Sequence, residues 1–231
     1  MSTYRGKPVG TFGHFGCFSF HYTKNINCGE GGALCINKRI VHSSIDTTCQ
    51  RAAILRDKGT NRKDFIAGKI DRYEWVDIGS SFILSEASSA ILLAQLECAS
   101  DITTKRIGLY ASYHSALKEL EISGLIRIPS IPEYCQHNAH IFCIILSSED
   151  KLLHYQRQLK MVGIDSFTHY MPLHLAPGGV KFGHSRGPMT VTEQLYKTLL
   201  RLPIWIDMTS DELHRVISAV KRITTDLICG T

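Results

Sequence analysis

The sequence has no run of like charge. Its 26 Lys and Arg residues are scattered against 21 Asp and Glu, for a formal charge of +5. A nucleic-acid footprint needs a clustered basic face, so that class of partner is not expected. No apolar stretch approaches the ~20 residues of a membrane-spanning helix, and the first residues, Met1 to Gly6, do not have the order of a signal peptide. The eight cysteines include no C-x-x-C pair, and most sit inside apolar runs such as Ile141 to Ile145. They read as free thiols of a reducing compartment rather than disulfides or metal ligands. A soluble, cytoplasmic protein without a metal is expected. There is no G-x-x-x-x-G-K-[ST], which argues against a nucleotide phosphate loop at Gly29–Gly32, and neither an internal repeat nor a low-complexity tract.

What is present is ordinary globular composition: 231 residues, 44% hydrophobic and 20% charged, enough for one large domain or two smaller ones. Gly16 to Phe20 is a short apolar run bounded by glycine, which predicts a brief buried strand, and Ala33 to Ile36 predicts a second. From about Lys38 to Lys58, Ile40, Val41, Ile45, Ala52 and Leu55 recur at helical spacing, and Gly59 is placed as the stop. Ser85 is expected to cap a long helix, with Glu86 set against its N-terminal dipole. Leu109, Tyr113, Leu117 and Leu120 mark another helix, ending at Gly124. Beyond it the pattern predicts a strand over 139–146, a helix over 149–162 capped by Ser147 or Ser148, and a strand over 164–170. A helix over 193–200, a strand over 202–206 and a last helix over 211–223 capped by Ser210 complete the series. Strands alternating with helices indicate α/β or α+β packing.

The informative segment is Gly16-Cys17-Phe18-Ser19-Phe20-His21-Tyr22-Thr23-Lys24-Asn25, followed by Gly29-Glu30-Gly31-Gly32. It sets a lysine just past an apolar strand, in a glycine-rich loop. A lysine withheld from water loses preference for its ammonium form and becomes a nucleophile able to condense with an aldehyde. Ser19, five residues earlier, offers a hydroxyl at a strand end, where a phosphate can meet exposed backbone N–H groups. The residues alone leave the other reading open: a solvated loop lysine beside a hairpin turn.

The same segment resembles the lysine motif of the DegT/DnrJ/StrS family of nucleotide-sugar aminotransferases, S-F-[HNS]-x-x-K-x-x-x-x-G-E-G-G. Further segments resemble family stretches in the same order: Arg56 to Arg62, Trp75 to Ser81, Ala94 to Glu97, Asn138 to Phe142, Thr168 to His174 and Lys197 to Pro203. Such collinearity over nearly the whole chain is far more specific than one glycine-rich loop. Within the family, K-G-T-N-R, W-x-D-I-G-S-S and N-A-H-x-F most resemble the branch of dTDP-4-amino-4,6-dideoxygalactose transaminases.

The resemblance implies an α/β chain: the C-terminal part of the large domain of a fold-type I pyridoxal 5'-phosphate (PLP) aminotransferase over residues 1–102, with the lysine loop, and a small C-terminal α+β domain over 103–231. It implies that Lys24 binds PLP covalently and moves a proton as acid and base, and that Ser19 bonds the PLP phosphate. His21 lies near the cofactor in the family; a packed strand-end histidine is the other reading. Where many members have G-F-N-Y-R, contributing an asparagine to the neighbouring subunit's phosphate site, this chain has Gly79-Ser80-Ser81-Phe82-Ile83. Ser81 stands in the asparagine's place and Ile83 in the arginine's, which puts that contact in doubt. His169, Tyr170 and His174 match a segment that approaches the sugar nucleotide, against the plainer reading of a strand and a proline-fixed turn. Arg62 suits a phosphate, or is a surface arginine. Tyr73 and Trp75 suit a sugar site, or packing. The implied reaction moves an amino group from L-glutamate to C4 of a dTDP-4-keto-6-deoxyhexose in a homodimer, for surface glycans.

The family's other PLP anchors lie upstream of its lysine: a Gly-Thr turn, a stacked aromatic ring, and an aspartate on the pyridine nitrogen. None of the 23 residues before Lys24 is Asp or Glu, and the first aspartate is Asp46. The chain is therefore expected to begin partway through the large domain, to leave an edge of a central parallel sheet exposed, and by itself to be inactive or very weak. The competing expectation is a non-catalytic remnant that keeps a dimerisation or nucleotide-binding surface.

Overall fold

The computed structural model describes residues 1–37 and 44–229. In chain order the elements are β1 (Thr3–Tyr4), β2 (Lys7–Pro8), β3 (Phe15–Ser19), β4 (Gly32–Ile36), α1 (Ile45–Arg56), α2 (Arg62–Ile66), α3 (Glu86–Glu97) and α4 (Ala99–Ile122). They continue as β5 (Cys135–Gln136), β6 (Phe142–Ile145), α5 (Glu149–Met161), β7 (Phe167–Thr168), α6 (Pro177–Phe182), α7 (Thr190–Thr198), β8 (Leu199–Leu202) and α8 (Ser210–Cys229). Two compact units result: Met1–Ile102 with Tyr134–Gln136, and Thr103–Glu133 with His137–Thr231.

The first unit holds two small sheets. In one, β1 lies between β2 and β5. In the other, β3 and β4 pair only with each other, antiparallel, with Phe15 opposite Ile36 and Ser19 opposite Gly32. Every strand pair among the described residues is antiparallel, so the anticipated parallel sheet is not among them. The strand anticipated as buried also differs: along β3 only Gly16 is buried. An apolar run makes a strand, but burial needs something packed on it, and neither α1 nor α3 contributes a buried residue. The anticipated helix from Lys38 begins outside the described residues, which exclude Ile40 and Val41; the described part, α1, starts at Ile45 behind its cap Ser44. At the other end Lys58 (φ +59°), not Gly59, is the first left-handed residue. The N–H of Gly59 then closes back on the Ile54 carbonyl at 2.9 Å, a Schellman-type ending. Ser85 caps α3 as expected, accepting from the Ser88 N–H at 3.1 Å.

The second unit is built on the antiparallel sheet β6-β8-β7. Along α8, Leu213, Val216, Ile217, Val220 and Ile223 recur at helical spacing and are buried; so are Leu152, Tyr155 and Leu159 along α5. With Tyr113 and Leu117 of α4 they pack on Phe142, Ile144 and Leu200 into one apolar core. Phe142 stacks on Tyr113, ring centroids 4.7 Å apart. Arg106 is buried yet well used: Nε donates to the Ala139 carbonyl at 3.0 Å and a terminal nitrogen to the His140 carbonyl at 2.8 Å. That clamp holds Ala139 at φ +48°, so the strand anticipated from 139 starts only at Phe142. The strand anticipated over 164–170 shortens to two residues, and that over 202–206 lies earlier, as β8. Ser148 caps α5, accepting from the Lys151 N–H. The final helix is capped one residue before the anticipated Ser210: the Thr209 hydroxyl accepts from the Glu212 N–H, and the Glu212 carboxylate accepts from the Thr209 N–H at 2.8 Å, a capping box.

Candidate functional site

Lys24 stands in a tight turn that springs from the end of β3. The hairpin ladder runs on past Ser19: Phe20 N–H donates to the Gly31 carbonyl, Cys28 N–H to Phe20, and Tyr22 N–H to Gly29, at 2.7–2.9 Å. Gly29 takes φ +86°, a conformation glycine adopts freely. Gly31 is needed for space, since a Cβ there would run into the Cys28 sulfur and Leu84. The turn itself closes with Lys24 N–H donating to the His21 carbonyl at 2.9 Å, and Asn27 reaches back to the Lys24 carbonyl.

Lys24 is exposed, so this chain's own atoms do not withhold the amine from water as anticipated. Enclosing a loop side chain takes neighbours from other elements, and the hairpin offers only its own residues. Ser19, on the last residue of β3, is exposed too. Its hydroxyl oxygen accepts only a long contact from the His21 N–H, at 3.4 Å, which leaves the O–H free to donate to an anion. His21 is half-buried and held on both ring nitrogens: Nδ1 meets the Thr23 hydroxyl at 2.9 Å, and Nε2 lies 3.4 Å from the Glu30 carboxylate. Glu30 was legible only as part of a glycine-rich turn; its partnership with His21 required the hairpin register.

A second group of site residues gathers at the end of α1. Asp57 is buried, and its backbone bridges antiparallel to Ser81. Its carboxylate faces Lys58 at 3.6 Å and Arg62 at 3.7 Å. Arg62 is thus anchored to a carboxylate within its own chain. In the sequence Asp57 is marked only by its place in the Arg56 to Arg62 segment. Ser81 lines one open concavity together with Glu30, Gly31 and Gly32. Trp75 and Tyr73 are exposed; Tyr73 lies against Phe65, and Arg51 is paired with Asp77.

The remaining three candidates belong to the second unit. His174 Nε2 pairs with the Glu193 carboxylate of α7 at 3.1 Å, a partner nineteen residues on that no local pattern reveals. Tyr170 is 86% exposed. His169 is likewise an exposed residue, yet partial burial of its ring, and then the Arg201 guanidinium, push its pKa below the usual histidine range. The neutral imidazole is favoured there. Among the described residues no group of His, Cys, Asp and Glu is arranged to hold a metal ion, and no helix is long and apolar enough to cross a membrane. Cys143, deep in the core, has its thiol pushed up to about 11 by burial.

The sequence and the fold have counterparts in known proteins. The uncharacterized protein MJ1066 of Methanocaldococcus jannaschii is 30% identical over 230 residues, a match that takes in 96% of this chain and 57% of that one. Among solved structures, S. venezuelae DesV in complex with a ketimine intermediate shares 27% identity at a TM-score of 0.77, covering 96% of this chain and 55% of DesV. The PLP form of the putative sugar aminotransferase Spr1654 from Streptococcus pneumoniae aligns at a TM-score of 0.82 with 21% identity, over 97% of this chain and 55% of its own. The chain thus spans a little over half the length of the relatives it matches, with an aminotransferase fold of mixed helix and strand. A family match covers residues 1–221, and by it this chain belongs to the DegT/DnrJ/EryC1/StrS aminotransferase family.

Proposed function

We propose that the chain carries the lysine-bearing part of a PLP-dependent sugar-nucleotide aminotransferase. In this reading an amino group passes from L-glutamate to the C4 keto group of a dTDP-4-keto-6-deoxyhexose, for surface glycans such as enterobacterial common antigen or lipopolysaccharide. The branch it most resembles is that of the dTDP-4-amino-4,6-dideoxygalactose transaminases, and the working form is a cytoplasmic homodimer. The observation that carries the proposal is the hairpin: a free amine at Lys24 and a free hydroxyl at Ser19, fixed five residues apart by one continuous backbone ladder.

The donor set fits two ends of the family's cofactor. The Lys24 amine suits its aldehyde, and the Ser19 hydroxyl suits its phosphate, with Ser81 as a further hydroxyl. PLP, when bound, supplies an aldehyde that condenses with amines and a pyridine ring that takes up the electrons of a broken Cα–H bond. Lys24 Nζ would then serve as the base that removes the Cα proton of the amino donor and as the acid that delivers it to the carbon that carried the aldehyde. His21, tied to Thr23 and Glu30, holds the turn so that Nζ keeps its approach. Arg62, His169, Tyr170 and His174 are assigned to the sugar nucleotide: Arg62 by its charge, and the other three as hydrogen-bonding groups.

The test is an absorbance titration of the purified chain with PLP, repeated with Lys24→Ala. An absorbance band of the lysine adduct, absent from Lys24→Ala, supports the assignment; no band in either protein refutes it for the isolated chain. A second reading, a non-catalytic remnant retaining a dimerisation or nucleotide-binding surface, draws on the uncovered apolar surface of the first unit. It is favoured if neither protein develops the band while dTDP still binds.

A further inference from the structure

The sheet β6-β8-β7 turns one side to the core of the second unit and a cationic face the other way. Side chains alternate along a strand. Leu200 and Leu202 of β8 are buried in the core, so Arg201 between them lies on the opposite face. The strand register names its neighbours, because residues directly opposite each other share a face. Arg201 stands between Cys143 of β6 and Phe167 of β7. Two residues along, Leu199 is opposite Ile145, and Ile145 bridges in turn to Arg127. The Ile145 N–H donates to the Arg127 carbonyl at 2.7 Å and its carbonyl accepts from the Arg127 N–H at 2.9 Å. Ile126 and Ile128 are buried on either side, so Arg127 shares the face of Arg201. His169 joins them from the end of β7, where partial burial and then the Arg201 guanidinium lower its pKa.

This face carries two arginines and no carboxylate. Asp165, two residues before Phe167, is paired with Lys160 at 2.6 Å. Among the described residues neither Arg127 nor Arg201 has a carboxylate or side-chain hydrogen-bond partner, whereas Arg106 and Arg215 of the same unit are bonded to main-chain carbonyls. An exposed arginine without a partner, such as Arg127, is ordinary. Arg201 is half-buried, and a charge drawn partly out of water without a partner is unfavourable. Its neighbours Cys143, Phe167, Leu199 and Ile145 have no side-chain oxygen to relieve it. A guanidinium in that position suits an oxyanion bonded through two N–H groups. A neutral imidazole beside it adds a hydrogen bond without a repelling charge. We infer that Arg201, with Arg127 and His169, forms a binding site for phosphate oxygens on the open face of this sheet. The strands bearing the two arginines are about 10 Å apart, a spacing that suits two bridged phosphates better than one. That the phosphates are those of a sugar nucleotide rests on the function proposed above; the site itself does not.

The experiment titrates the full chain with inorganic pyrophosphate and with dTDP by calorimetry, while NMR follows the ring C–H signals of His169 against pH. Both ligands are expected to bind. An anion on Arg201 offsets the field that holds the His169 pKa down, so its titration midpoint moves up on binding. Arg201→Gln weakens pyrophosphate on the order of tenfold and raises the His169 midpoint in the free chain. It leaves the thermal midpoint unchanged or higher, because it removes a charge that no protein group relieves. Arg127→Gln weakens binding by a smaller factor. Arg157→Gln, on α5 against the core side of the sheet, is the control for net charge and leaves the affinity unchanged. A fall in thermal midpoint for Arg201→Gln with no loss of pyrophosphate affinity makes Arg201 a structural residue and overturns the inference. So does a chain that binds neither ligand, or one that Arg157→Gln weakens as much as Arg201→Gln does. Pyrophosphate held at Arg201 with no tighter binding of dTDP supports the phosphate site and counts against the sugar nucleotide as its occupant, which keeps the two failures apart.

Discussion

The hydrogen bond that ties α5 to α8 permits a quantitative test of the second unit. Tyr155 and Thr224 are both buried, and their hydroxyl oxygens lie 2.6 Å apart. The Thr224 hydroxyl also lies 2.8 Å from the Val220 carbonyl, to which it can only donate. With its proton committed there, Thr224 must be the acceptor and Tyr155 the donor. The two deletions are therefore unequal. Tyr155→Phe removes the donor and leaves Thr224 still bonded to Val220, at a cost of about 1 kcal/mol. Thr224→Val strands a buried phenol O–H with no acceptor, and desolvating an unmade donor raises the cost to about 2 kcal/mol. The double variant should cost less than the sum of the singles, with a coupling of about 1 kcal/mol. Urea unfolding followed by far-UV circular dichroism measures all four proteins, and unchanged m-values keep the comparison valid. Equal costs for the two singles, or strict additivity, would refute the assigned donor direction.

The cap of α8 gives a second prediction. Thr209→Ala should destabilise the second unit by about 1 kcal/mol, while Ser210→Ala changes it within about 0.5 kcal/mol, both read by the same denaturation. Alkaline pH gives a third. Burial raises the phenol pKa of Tyr113 and of Tyr155, the latter partly offset by Thr224. Their contribution is therefore fully present below the unfolded value near pH 10, and stability should fall as pH climbs above about 10. Tyr113→Phe should flatten that decline in a urea-midpoint profile against pH.

Local chemistry made much of this readable. Ser85 and Ser148 each precede an apolar-periodic stretch, and both cap as that position implies. The core stripe of α4 is legible because Tyr113 and Leu117 sit one turn apart. Two neighbouring hydroxyls, Thr209 and Ser210, are indistinguishable until the Glu212 carboxylate chooses between them. Lys58 takes a left-handed conformation that a sequence assigns to glycine, because its N–H is drawn to the Ser80 carbonyl. Ala139 shortens a strand for a reason 33 residues away, in Arg106. The site divides the same way. Ser19 and Lys24 are joined by local chain, so their relation was visible; Glu193 and His174 meet through the fold. The anticipated burial of Lys24 failed because enclosure depends on what packs over the hairpin, which no local run encodes.

The loop carrying Ser81 is attached to α1 almost entirely by main chain. Ser80 N–H donates to the Leu55 carbonyl, Phe82 N–H to Arg56, and the N–H groups of Val76 and Asp77 both to Gly59. Gly59 and Gly79 let the two backbones touch, since a Cβ on either would collide with the other strand of chain. Side chains at 80–83 are therefore spectators to the path of their own loop. Such a segment is a mutable bracket: its position is inherited through the backbone, while the groups it displays can be exchanged. That freedom predicts that Ser81 and Ile83 can be exchanged for other residues, asparagine and arginine among them, at little cost to folding.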